Sequence, residues 1–141
     1  MRGFTLIELL IVIGISTVLA GFVVPTGITF YQTQILDDAS SSILGTLRSA
    51  RSEAVFQKND RPFGVKFLSG SYVLFQGPSY AARVASEDES FELPLGVSAT
   101  GIDEILFTKL TGTTTSAALT VKLGGAKRII SINSQGNVEK Q

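Results

Sequence analysis

Phe4-Thr5-Leu6-Ile7-Glu8-Leu9-Leu10-Ile11-Val12-Ile13-Gly14-Ile15-Ser16-Thr17-Val18-Leu19-Ala20-Gly21-Phe22-Val23-Val24, followed by Pro25, decides how this chain is built. These 21 residues hold one charged side chain, Glu8, and no other strongly polar one besides Thr5, Ser16 and Thr17. As a helix rising about 1.5 Å per residue they span about 30 Å, the thickness of a bilayer's hydrocarbon core. A core helix apolar on every face would need protein on all sides, and the rest of the chain is too small to supply it. A cleaved secretory signal has a charged n-region, which Arg2 offers, but its apolar stretch is usually about 7–15 residues and carries no acid. The run 4–24 therefore predicts a single membrane span, with Arg2 on the cytoplasmic side and everything after Pro25 outside.

The rest of the composition narrows the chemistry. With 141 residues there is room for one domain and an appendage. Twelve basic and twelve acidic residues cancel, so no overall field recruits nucleic acid or an anionic surface. There is no cysteine and no histidine. Disulfides, thiolate metal sites and Ser-His or Cys-His nucleophiles are thereby excluded. No phosphate-cradling glycine loop occurs, and Gly124-Gly125 reads as a turn. The chain is not expected to be an enzyme or to need a cofactor.

After Pro25 the apolar pattern becomes periodic. Leu36, Ala39, Ile43, Leu47, Ala50 and Ala54 recur at spacings of three and four and draw one stripe along a helix. Asp37, Asp38, Ser41, Arg48 and Ser52 lie opposite, with Arg51 and Glu53 at the edges. Residues 25–57 thus read as an amphipathic continuation, kinked near Pro25, where a backbone hydrogen bond is lost. The helix ends before Lys58-Asn59-Asp60-Arg61-Pro62. Residues 62–141 read as antiparallel β-structure. Val65 and Phe67 form a hairpin with Tyr72–Gln76 through Ser69-Gly70. Ala81 to Glu92 reads as an acidic loop, followed by short strands at Phe91-Glu92-Leu93 and Ile105–Thr108. Leu119–Leu123 turns at Gly124-Gly125 into Arg128–Asn133, and a last strand lies around Val138. The fold class is α+β: a long N-terminal helix whose stripe supplies the layer that a thin sheet lacks.

Gly3-Phe4-Thr5-Leu6-Ile7-Glu8-Leu9-Leu10-Ile11-Val12-Ile13 resembles the N-terminal signature of type IV pilins and of the pseudopilins of type II secretion systems. Leu47-Arg48-Ser49-Ala50-Arg51-Ser52-Glu53-Ala54-Val55 before a hairpin, and the ending Arg128 to Val138, are similar to GspH/FimT-type minor subunits. The resemblance implies that residues 1–3 are a leader, that a prepilin peptidase cuts between Gly3 and Phe4, and that the new Phe4 amine is methylated. The leader Met1-Arg2-Gly3 is either minimal or the remnant of a start lying upstream. The resemblance also implies partners: other pilin or pseudopilin subunits, an inner-membrane assembly platform, and membrane lipid before assembly. The implied location is the bacterial inner membrane, single-pass, with the C-terminal domain periplasmic or extracellular, and then the filament. Minor subunits linked to DNA binding carry arginines near the C-terminus. Here the turn reads Gln135-Gly136-Asn137-Val138-Glu139, which lacks the cations that phosphate binding requires.

Glu8 can then be weighed two ways. A carboxylate at a bilayer's centre costs roughly 2.5–3.5 kcal/mol on insertion scales. One turn inside the terminus it lies near the interface and faces the positive end of the helix dipole, which explains why it is tolerated. Pairing with the Phe4 amine, of its own or an adjacent subunit, explains why it is kept, since an unpaired buried carboxylate penalises the wrong stagger. Glu87, Asp88 and Glu89 offer oxygen ligands for calcium but lack the spacing of a preformed loop, and read first as a solvated charge run. Tyr72, Phe75 and Tyr80 read as cross-strand packing before they read as a binding surface. The alternative function is a tethered adhesin or DNA-capture module at a pilus tip, with the helix as a mere anchor. It predicts normal function when residues 4–24 are exchanged for an unrelated span.

Overall fold

The computed structural model of the chain describes residues 3–141, without the side chains of residues 22–27. Met1 and Arg2 of the expected leader, and the bend expected at Pro25, lie outside the described residues. A single helix leads, α1 (Leu6–Val55). The strands that follow are β1 (Phe63–Leu68), β2 (Ser71–Gln76), β3 (Glu89–Glu92), β4 (Val97–Thr100), β5 (Glu104–Phe107), β6 (Ala117–Leu123), β7 (Ala126–Ile132) and β8 (Val138–Lys140). They form two antiparallel four-stranded sheets, in the orders β3-β2-β1-β5 and β4-β6-β7-β8. The expected α+β arrangement of a long helix on an antiparallel domain is what is found.

The stripe on α1 decides where the sheets meet the helix. Leu36, Ile43, Leu47, Ala50 and Ala54 are completely buried, and Ala39 nearly so, against β1, β6, β7 and β8. The three alanines bring the helix backbone close to the strands, while Leu36, Ile43 and Leu47 fill the space between the sheets. The strands answer with their alternate residues: Phe63, Val65 and Phe67, Ile105 and Phe107, Leu119 and Val121, Ile130 and Ile132 belong to one shared core with the stripe. α1 stops after Val55, where Gln57, Asn59 and Asp60 take positive φ angles of 54°, 54° and 56° and Pro62 follows. Asn and Asp tolerate that region better than most side chains, because their short polar groups bond locally.

The second face of the first sheet is also covered. Gly64 leaves room on β1 for the Phe75 ring: a Cβ there would lie 2.4 Å from Phe75 Cζ and 2.8 Å from the Ile105 carbonyl oxygen. Phe75 in turn meets the Tyr80 ring edge-on at 5.7 Å, and the Arg83 guanidinium lies 3.8 Å above Tyr80. Tyr72 is buried, stacks on Phe91 at 5.1 Å and shares a 2.8 Å hydrogen bond with Ser42 of α1. Tyr72 and Phe75 are therefore packing residues.

One local reading is corrected. Ala81–Glu92 is not a loop throughout: it contains a 3-10 turn at Ala85–Glu87 and then β3, which begins at Glu89 and ends at Glu92 instead of covering Phe91–Leu93. Backbone pairing with Ser71–Leu74 holds this acidic strand in place, and Phe91 anchors it, so hydrophobic alternation marks only its end. β4 was not foreseen, because Val97-Ser98-Ala99-Thr100 offers one large apolar residue and is made a strand by its pairing with β6. The polar side of α1 is tied to the second sheet. Asp37 accepts from Arg128 Nε at 2.8 Å and Nη2 at 3.0 Å on β7, and Lys140 Nζ on β8 lies 3.5 Å away.

That clamp has a pH signature. The hydrogen bond from Arg128 first, and then the charges of Arg128 and Lys140, hold the Asp37 carboxyl below its ordinary value against the opposing effect of burial. A depressed folded-state pKa contributes stability that is present above the unfolded carboxylate pKa, about 3.9, and is lost as pH falls through the folded value. Urea unfolding between pH 2 and 7 is expected to show this acid-side loss in the parent chain and a flatter profile in Asp37→Asn. Identical profiles would remove Asp37 from the account.

Candidate functional site

The terminus of α1 is built by Thr5. Its backbone is extended, at φ −82° and ψ 154°, and its Oγ1 accepts the Glu8 N–H at 3.3 Å while its carbonyl accepts the Leu9 N–H at 3.2 Å. Thr5-x-x-Glu8 is thus also the frame of a capping box, in which threonine satisfies an orphan donor and glutamate occupies the third helical position. Weighing Glu8 only against lipid, the helix dipole and the Phe4 amine missed this further use, although the Thr-x-x-Glu spacing announces it. Glu8 is exposed in the first turn, where its carboxylate favours the positive end of the helix dipole.

Gly3 and Phe4 lie ahead of the helix, outside any regular element, and both are exposed, Phe4 at 85 %. The bond between them is therefore free of helical hydrogen bonding. Leu6, Ile7, Leu9, Leu10, Ile11, Val12, Ile13, Ile15, Val18 and Leu19 are each more than half exposed. They surround α1 on all sides, whereas the stripe from Leu36 onward is one-sided and covered. Thr17 donates its Oγ1 to the Ile13 carbonyl at 2.8 Å, so its hydroxyl needs nothing from its surroundings. A helix coated with aliphatic side chains and closed in its own hydrogen bonds is suited to lipid or to other such helices. Among the described residues, no helix is long and apolar enough to cross a membrane.

The remaining sequence candidates are placed elsewhere. Glu87 ends the 3-10 turn, Asp88 accepts from Arg83 Nε at 2.6 Å, and Glu89 opens β3. The three are not gathered into one site, and among the described residues no group of three acidic side chains could hold a metal ion.

The comparisons with known proteins fall on the same two parts of the chain. The family model for the prokaryotic N-terminal methylation motif matches residues 1–24. The model for type II transport protein GspH matches residues 39–136, well over half of the chain. Among solved structures, the minor pseudopilin EpsH from the Type 2 Secretion System of Vibrio cholerae is similar in fold, with a TM-score of 0.61. That likeness covers 75 % of this chain and 95 % of the other at 12 % identity. No curated protein matches the chain.

Proposed function

The chain belongs to the family of the type II transport protein GspH, whose fold is that of pilin-like structural subunits, and from that premise we propose that it is a minor pilin or pseudopilin that joins a filament through α1. The observation that carries this reading is the two-part character of one helix. α1 is covered by its own sheets from Leu36 onward and is bare and aliphatic from Leu6 to Gly21. The bare half, with the apolar run that continues to Val24, anchors the subunit as a single pass in the inner membrane, the domain lying on the periplasmic side. On assembly the same half exchanges lipid for neighbouring helices, which removes no hydrophobic driving force and leaves packing and charge pairing to set the register.

Processing prepares that exchange. A prepilin peptidase cuts between Gly3 and Phe4, and methylation of the Phe4 amine keeps its positive charge. The amine then lies one turn from Glu8, within reach of the carboxylate on its own or an adjacent subunit. The pair contributes register more than stability, because a mis-staggered neighbour leaves a carboxylate unpaired in an apolar surrounding. Other subunits and an inner-membrane assembly platform are its partners, and the subunit performs no catalysis of its own.

Mass spectrometry of the filament fraction is expected to find a chain beginning at N-methylated Phe4. Glu8→Gln is expected to stay in the membrane while its recovery in filaments falls at least about tenfold, the size of a pairing contribution of roughly 1.4 kcal/mol. An intact Met1 in filaments would end the processing claim. Undiminished incorporation of Glu8→Gln would end the pairing claim.

A further inference from the structure

The two flanks of α1 in the globular domain carry opposite charge. On one, Arg48 Nη2 donates to the Val138 carbonyl and Arg51 Nη2 to the Gln135 carbonyl, both at 3.1 Å, so the turn between β7 and β8 fixes both guanidiniums. With Gly136, Asn137 and Glu139 they line a cleft of about 450 Å³. Among the described residues neither arginine meets a carboxylate within ion-pair distance. Arg51 Nε is buried without a hydrogen-bond partner. Two cations three residues apart on a helix repel each other, and guanidinium groups held on one side by carbonyls with no carboxylate partner favour an incoming one in a forked geometry.

On the other flank, α1 and β3 enclose two adjoining clefts of about 230 and 260 Å³ that share Ser42. Asp38 and Glu92 line the first, Glu89 the second, and no basic side chain lines either. Glu89 and Glu92 are exposed and belong to no ion pair among the described residues. β3 is an edge strand, so its outer backbone groups are unpaired as well. At about 100° per residue, Arg48 and Arg51 lie to one side of the buried stripe and Ser42, Thr46 and Ser49 to the other. The basic cleft and the acidic edge of one chain thus face opposite ways, which is the layout of a contact that repeats head to tail.

We infer that the Arg48–Arg51 cleft is a carboxylate-binding docking site, and that its occupant is the acidic β3 edge, Glu89 and Glu92, of a second copy of this chain. The inference rests on the filament reading, since packing through α1 sets subunits side by side, a second copy of this chain among them. The cleft then selects which flank of a neighbour is met, because the like-charged flanks repel.

The absence of cysteine makes the test clean. Full-length copies carrying Ser49→Cys, beside Glu89, and full-length copies carrying Asn137→Cys, in the cleft, are expressed together and their membranes treated with a short bismaleimide. A mixed dimer is expected. Arg48→Glu with Arg51→Glu in the second copy should lower its yield at least about tenfold, and Glu89→Lys with Glu92→Lys in the first should restore it. A yield indifferent to the charge reversals overturns the inference. Absence of the mixed dimer while Ile15→Cys copies still cross-link overturns it and leaves the filament reading standing; absence of both products ends the two together. If a duplex oligonucleotide or inorganic phosphate binds the parent chain through these arginines and abolishes the dimer, the cleft is a phosphate site and the inference fails.

Discussion

Leu47→Ala is expected to lower the stability of the full-length protein by about 3 kcal/mol, within the roughly 2–5 kcal/mol found for buried Leu or Ile truncations. Leu47 is 0 % exposed and lies in the middle of the α1 stripe, between Ile43 and Ala50, which are buried as well. Its removal takes apolar surface out of the core and leaves a cavity. The gap cannot close easily, because α1 is already held at close range by Ala39, Ala50 and Ala54 and by the Asp37–Arg128 clamp. Thermal unfolding followed by circular dichroism should show a midpoint lower by about 10 °C, at the few degrees per kcal/mol expected for a domain of this size. Leu95→Ala is the control, since Leu95 is 100 % exposed, and should stay within about 0.5 kcal/mol of the parent. Equal effects of the two substitutions would mean that α1 is not a layer of the core.

Gly136→Ala is expected to cost a similar amount by a different route. Gly136 has a φ of +76°, where a Cβ costs on the order of 1–2 kcal/mol. Here the added atom would also fall 2.0 Å from the Gly112 carbonyl oxygen and 2.9 Å from Arg51 Nε. The obstacle is backbone rather than the end of a flexible side chain, so the turn between β7 and β8 must move away from the segment around Gly112. Overpacking of this kind adds roughly 1–3 kcal/mol. The same movement should loosen the hold of Gln135 and Val138 on Arg51 and Arg48. Gly125→Ala, where a Cβ would meet nothing within 4 Å, should be nearly silent. If the two glycine substitutions unfold at one temperature, the close approach of the Gly112 and Gly136 segments is not a feature of the folded protein.

Legibility followed the strength of the periodic signals. The α1 stripe was readable residue by residue, because six apolar positions at spacings of three and four admit one helical face, and all six are buried. The β1–β2 and β6–β7 hairpins were readable because alternating apolar residues flank Ser69-Gly70 and Gly124-Gly125. β3 was readable only where Phe91-Glu92 falls in the expected strand, and β4 was not, since Glu89-Ser90 and Val97-Ser98-Ala99-Thr100 are strands by virtue of their partners. At the terminus, the apolar run and its acid stood out at once, and the Thr5 cap on Glu8 was written in the same letters but outweighed by them.

The sequence by itself determined the division of labour: a continuous apolar run, a one-sided stripe and a set of alternating strands prescribe an exposed helical half, a covered helical half and a sheet domain. These are local and periodic properties, and hydrophobic burial reads them the same way in any fold that keeps the pattern. Tertiary structure alone decided what the polar positions do. Asp37, Arg48 and Arg51 look alike on a helical projection, yet one is clamped by Arg128 and Lys140 while the other two line a cleft and belong to no ion pair among the described residues. Electrostatic partners are fixed by distance in space, and the residues that answer these three stand some 84–103 positions further along the chain.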